Sequence, residues 1–140
     1  MWKKSVLEIV PRIQITKIHD LSFGKFFFLE NIIISEVTEG ISFDWSKGKQ
    51  IIDLALQHYG QDSSVHYISN RIHDYSVRPQ DWRKFGDFQK NLKTYSIITY
   101  GKIGYTNLIF EKIFFPSIIY HFTELEKALE FVGEYDKHLT

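Results

Sequence analysis

Residues 117–132 read SIIYHFTELEKALEFV, and the signals in this stretch run strand, cap, helix. Ser117 to His121 is rich in β-branched and aromatic side chains, which suits a short strand. Thr123-Glu124-Leu125-Glu126 has the form of a capping box, with a Thr hydroxyl placed to accept from the backbone and Glu126 placed to reach back. Leu125, Ala128, Leu129 and Val132 then recur at i, i+3, i+4 and i+7, the spacing of a helix with one buried stripe. A strand that runs straight into an amphipathic helix is half of a β-α-β unit, so the fold turns on whether the unit recurs upstream.

It does recur. A helix is expected from Tyr105 to Phe115, preceded by a strand from Tyr95 to Tyr100 that Gly101 ends. A second helix begins at Pro79, where a missing N–H is harmless, and carries Trp82, Phe85 and Phe88 on its apolar side. The polar loop Asn70 to Arg78 joins it to a strand over Val65 to Ser69. The first helix starts near Asp44 or Ser46, both good N-caps, and runs through Ile51, Ile52, Ala55, Leu56 and Tyr59 to Gly60. Further back, Lys25–Leu29 and Ile32–Val37 flank the turn pair Glu30-Asn31 as a hairpin, and Arg12 to His19 alternates as a half-buried strand. The order β-β-β-α-β-α-β-α-β-α predicts an α/β fold. Its sheet is mixed, with five or six strands, an N-terminal antiparallel hairpin and right-handed βα crossovers between parallel strands.

The 140 residues fit one domain, 1–140 with its core at about 12–135, and leave enough chain to bury a core without a staple. With no cysteine there is no disulfide, as suits a reducing cytoplasm. Seventeen basic side chains balance seventeen acidic ones, and the basic pairs Lys3-Lys4 and Lys47/Lys49 are too short for a polyanion stripe, so nucleic acid is not an expected partner. No transmembrane segment is expected, because Ile113 to Thr123 is short and interrupted by Pro116, nor a signal peptide, because Glu8, Pro11 and Arg12 break up the start.

Several stretches in this order resemble the SpoIIAA-like proteins, a bacterial branch of the STAS superfamily related in fold to CRAL-TRIO lipid-transfer domains. They are Glu39-Gly40, residues 65–71 (VHYISNR), residues 75–79 (YSVRP), residues 111–115 (EKIFF) and residues 122–129 (FTELEKAL). The likeness spans roughly residues 25–132. It implies a STAS-type sheet without chemistry of its own, a protein partner, and in some members a small ligand. In the sporulation antagonists a serine in an Asp-Ser-Ser-Gly-like turn is phosphorylated. Here that turn reads NRIHDYS over 70–76, and Ser69 and Ser76 are the hydroxyls nearest to it.

Two features invite a site. The loop Asn70–Arg78 leaves the carboxyl end of a parallel strand, where ligands collect near a switch in strand order. It offers Asn70, Arg71, Tyr75, Ser76 and Arg78 as binding residues, two guanidiniums among them. The helix from Tyr105 spreads its apolar residues over about 240° of arc at ~100° per residue, wider than one core-facing stripe. Tyr105, Phe110 and Phe114 are therefore expected at an apolar surface or pocket. His73, Asp74 and Ser76 lie too close in one loop for a catalytic triad, and the six histidines, with His66 and His121 in strands, show no metal-ligand spacing. No enzyme, metal or cofactor is expected. The expected function is a binding or regulatory module that docks a protein partner, a second copy of itself included. The alternative is a carrier or sensor of a small apolar, lipid-like ligand.

Overall fold

Side-chain alternation along one mixed sheet sorts the whole molecule into layers. The computed structural model describes residues 3–9 and 12–138. Its sheet runs β1 (Lys17–Leu21), β2 (Gly24–Phe28), β3 (Ile32–Val37), then β5 (Val65–Asn70), β7 (Leu92–Ile98) and β8 (Ile119–Phe122). The first three strands pair antiparallel and the last three join them parallel. Two short strands, β4 (Ser42–Phe43) and β6 (Ser76–Val77), pair with each other beside it. The fold is α/β with a mixed sheet, as the sequence predicts.

Parallel neighbours need crossovers. Helix α1 (Trp45–Tyr59) connects β3 to β5, a run of 3₁₀ turns over Pro79–Asn91 leads into β7, and α2 (Lys102–Phe114) connects β7 to β8. All three cover one face of the sheet, where Ile33, Val65 and Ile51 pack together and Tyr95, Ile97 and Leu108 form a neighbouring cluster. The last helix, α3 (Leu125–Lys137), covers the other face, against Ile34, Ile68 and Ile98. Residues one apart (Ile33 and Ile34, Ile97 and Ile98) thus serve opposite layers, as the period of two requires. Fully burying a leucine or isoleucine in either layer contributes about 1.5–3 kcal/mol. No described helix is long and apolar enough to cross a membrane.

Several expectations are corrected. The first strand is Lys17–Leu21 rather than Arg12–His19, because its partner β2 offers only Gly24–Phe28; Ile13 and Ile15 pack on the core without pairing. The core also reaches Val6 and Ile9, held by a 3₁₀ turn at Val6–Glu8 with its own capping box from Ser5 and Glu8. The Thr123 capping box does not form: Glu124 occupies the N-cap without a side-chain bond, and Glu126 is drawn 2.6 Å from Lys4 Nζ instead. In α3, Leu125 and Val132 are buried as expected, with Ala128 beside them, whereas Leu129 is only partly so. The second helix is 3₁₀ rather than α. Trp82, Phe85 and Phe88 recur every third residue, and three residues per turn aligns them in one row.

Candidate functional site

The alternation in β5 continues one residue past the strand and decides what the Asn70–Arg78 segment does. Tyr67, Ser69 and Arg71 point to the α1 and α2 side, while Asn70 points to the α3 side. Asn70 therefore never meets Arg71. Its amide donates to Lys4 O (2.8 Å) and Glu36 Oε2 (2.9 Å), and its oxygen accepts from Tyr100 (2.8 Å). Buried Glu36 in turn accepts from Val6 N and Ser5 Oγ, both at 2.7 Å. This network ties the N-terminal turn to the sheet, and Asn70 is spent on it.

Arg71 lies inside the molecule. Its Nη1 is 2.6 Å from Glu111 Oε2, with both side chains 3% exposed. That contact is an ion pair out of line for a hydrogen bond. The guanidinium also donates to Ser69 Oγ (3.0 Å) and Tyr95 OH (3.1 Å), and lies 5.7 Å over the Tyr75 ring. Glu111 Oε1 accepts from Tyr95 OH (3.0 Å) and Trp82 Nε1 (3.3 Å). Burial opposes the guanidinium charge, but Glu111 outweighs it and holds Arg71 firmly protonated. Burial and Glu111 push the Tyr95 phenol up, so it donates and does not ionise. A buried ion pair of no net charge is thus the polar end of this layer.

Beside it opens a cavity of about 80 Å³. Tyr67, Ser69, Arg71 and Tyr95 form its floor; Gly48, Ile51, Ile52 and Ala55 of α1 form one wall. Trp82, Phe85 and Phe88 form the roof. Gly48 lies in the first turn of α1, where glycine costs up to about 1 kcal/mol against alanine. Its role is space: a Cβ there would sit 2.6 Å from Phe85 Cζ.

The remaining loop residues divide. Tyr75 is buried at the cavity, its hydroxyl 3.3 Å from Ser69 Oγ, and Arg78 stands exposed at the rim. Ser76 is exposed within β6, its N–H donating to Ile41 O at 3.0 Å. Gly40 N donates to Asp74 O and Arg78 N to Phe43 O, so the segment is pinned along its length. Contrary to the expected switch in strand order, the order β1-β2-β3-β5-β7-β8 never reverses, and the loop sits at no switch point. The structure brings Arg71, Tyr75 and Arg78 to one cavity and leaves Asn70 and Ser76 outside it.

The second expected feature is α2. Its inner stripe is Gly104, Leu108 and Glu111, all buried. Its outer face carries Ile103, Tyr105, Ile109, Phe110 and Ile113, each between 43% and 69% exposed. At ~100° per residue these five span about 160°. Phe114 is half-buried at the edge of this face, with Arg83 Cζ 5.5 Å over its ring.

Sequence reasoning left Glu111, Tyr67 and Tyr95 out of the site. Glu111 had a signal, being the one acid of α2 and in step with Gly104 and Leu108. A hydroxyl–imidazole–carboxylate line does exist elsewhere. Thr94 Oγ1 lies 2.6 Å from His66 Nδ1, and His66 Nε2 lies 2.8 Å from Asp136 Oδ1. Thr94 and His66 are buried, and the line fastens the end of α3 to the sheet. His121, 2.7 Å from Thr99 Oγ1, is likewise a bonded sheet residue. Among the described residues no group of three or more ligand-type side chains could hold a metal.

No protein-family model, curated protein or solved structure matches the chain. Fold and site define an α/β domain with a compensated buried charge pair, a small aromatic-roofed cavity and an unpartnered apolar helix face.

Proposed function

We propose that the protein is a non-enzymatic docking module and that the outer face of α2 takes a protein partner. The observation that carries this reading is the set Ile103, Tyr105, Ile109, Phe110 and Ile113, exposed together on one helical face. Single exposed apolar side chains are ordinary, but a contiguous set on one element marks an interaction surface. The charges around it select the partner. Lys102 and Lys112 are exposed on the same helix, Arg83 lies over Phe114 at its end, and the only carboxylate of α2 is buried. The exposed charges of α2 itself are all positive, and a face of one sign is not self-complementary across a two-fold axis, which disfavours a homodimer. It suits an apolar strip bordered by Asp and Glu on a different protein. The SpoIIAA-like resemblance, in which partner docking is the common role, belongs to this proposal and supports it.

The lipid-carrier alternative has less support. A cavity of about 80 Å³ falls well short of the ~300–1,000 Å³ of ordinary ligand pockets.

Site-specific photocrosslinking tests the proposal. A photoreactive residue at exposed Thr106, between Ile103 and Phe110 on this face, should give one dominant adduct with a different protein in cells. Ile113→Lys should abolish it, and a photoreactive residue at exposed Leu7 should not give it. An adduct only with a second copy of the chain, or one unaffected by Ile113→Lys, would overturn the reading.

A further inference from the structure

We propose that the cavity beneath the Pro79–Asn91 segment is a binding site for a small, uncharged aromatic molecule of one or two rings. The site is separate from the outer face of α2 and stands without it.

Shape gives the first argument. Tyr67 belongs to a central strand yet is only partly buried, and the surface it keeps faces the cavity. Opposite it runs the row Trp82, Phe85, Phe88, each also only partly buried. A slot with aromatic rings on floor and roof favours a flat guest, which gains stacked or edge-on contacts on both faces.

Charge gives the second. Arg71 and Glu111 already neutralise each other at 2.6 Å, and of the other charged lining residues Arg78 pairs with Asp81 at 3.6 Å and Asp44 with Lys47 at 3.8 Å. A carboxylate or ammonium guest would have to be desolvated and to displace one of these pairings. A neutral guest avoids that cost.

Size and construction give the third. Cavities of roughly 150 Å³ lined by apolar side chains accept benzene. At about 80 Å³ this one needs a small outward shift of its roof to hold a ring, and an extended acyl chain does not fit. The roof is a 3₁₀ run of thirteen residues, long for a geometry whose hydrogen bonds are poorer than those of an α-helix. Its ends are fixed: Asp81 accepts from Trp45 N at 2.9 Å, and Asn91 donates to Gln61 O and Ser63 O at 2.9 and 2.7 Å. Between these anchors, Phe85 rests on Gly48, and a Cβ at Gly86 would face open space.

The test is an NMR titration of the labelled full chain with indole, indole-3-acetate and dodecanoate. Indole should give saturable shifts and contacts from its ring protons to Tyr67 and Trp82. Indole-3-acetate should bind at least about tenfold more weakly, or ~1.4 kcal/mol, and dodecanoate should not bind. Ile52→Trp, which fills the cavity from α1, should remove indole binding. Absence of saturable indole shifts, ring contacts elsewhere on the surface, or equal or tighter binding of either carboxylate would overturn the proposal. If Ile52→Trp does not fold, the contacts seen in the wild-type chain decide the question alone.

Discussion

Removing Arg71 or Glu111 singly should destabilise the protein far more than removing both. Each side chain is 3% exposed, and their charged ends lie 2.6 Å apart. Breaking such a pair from one side leaves a buried, uncompensated charge and costs about 3–5 kcal/mol. That is a large fraction of the roughly 5–15 kcal/mol that holds a domain together. The two sides are not equivalent. In Glu111→Gln the guanidinium cannot shed its charge, and Tyr95 and Trp82 lose a charged acceptor, so the cost should reach the upper end of that range. Arg71→Met should lie lower in that range, because Tyr95 OH and Trp82 Nε1 still donate to the stranded carboxylate. Arg71→Met/Glu111→Leu removes both charges and keeps much of the volume, and should return to within about 2 kcal/mol of wild type. Urea unfolding followed by circular dichroism, analysed as a double-mutant cycle, measures all of this. Single variants each costing less than about 1 kcal/mol, or a double variant equal to the sum of the singles, would refute the compensated-pair account.

The wild type should lose stability on acidification. Burial lowers His66, while hydrogen bonds from His66 and Asn31 hold Asp136 below the usual carboxylate range against the effect of burial. In both cases the unfolded chain takes up protons first, so the urea midpoint should fall from about pH 7 toward 5 and further below about pH 4, and His66→Gln should flatten the upper part. Gly48→Ala should fail to stabilise the wild type despite the helix-propensity gain, yet stabilise a Phe85→Ala background by about 1 kcal/mol; equal effects in both backgrounds would show that Phe85 does not rest on Gly48. Leu125→Ala should cost about 2–5 kcal/mol in urea unfolding, and Leu129→Ala distinctly less because Leu129 is only partly buried. Phe110→Ser and Ile113→Ser should each change stability by no more than about 0.5 kcal/mol, since their side chains are largely exposed; larger losses would show that they are packed in solution.

The layers were legible because period-two and period-3.6 patterns report burial directly: Ile32–Val37, Val65–Ser69 and Leu125–Val132 all lie in the elements their spacing indicates. The site was less legible for the same reason. Treating residue 70 as the start of a loop ended the alternation one step early. Carried on, the pattern Tyr67, Ser69, Arg71 against Ile68, Asn70 places the amide and the guanidinium on opposite faces. The aromatic row of Pro79–Asn91 is visible in the sequence, but a three-residue spacing suits an α-helix as well as a 3₁₀-helix and does not choose between them. The Thr123 capping box lost to tertiary context, because Lys4 offers Glu126 a charge partner from 122 positions away. The Arg71–Glu111 pairing joins residues forty positions apart, and no local pattern predicts it.

Hydroxyl-radical footprinting of α2 tests the central claim most directly. Phe110 and Ile113 should be readily oxidised in the purified chain and protected in the complex that the tagged chain forms in cells, while exposed Leu7 and Ile118 react alike in both. Equal oxidation of Phe110 and Ile113 in the two samples, or their protection already in the purified chain, would contradict a docking face that waits for a different protein.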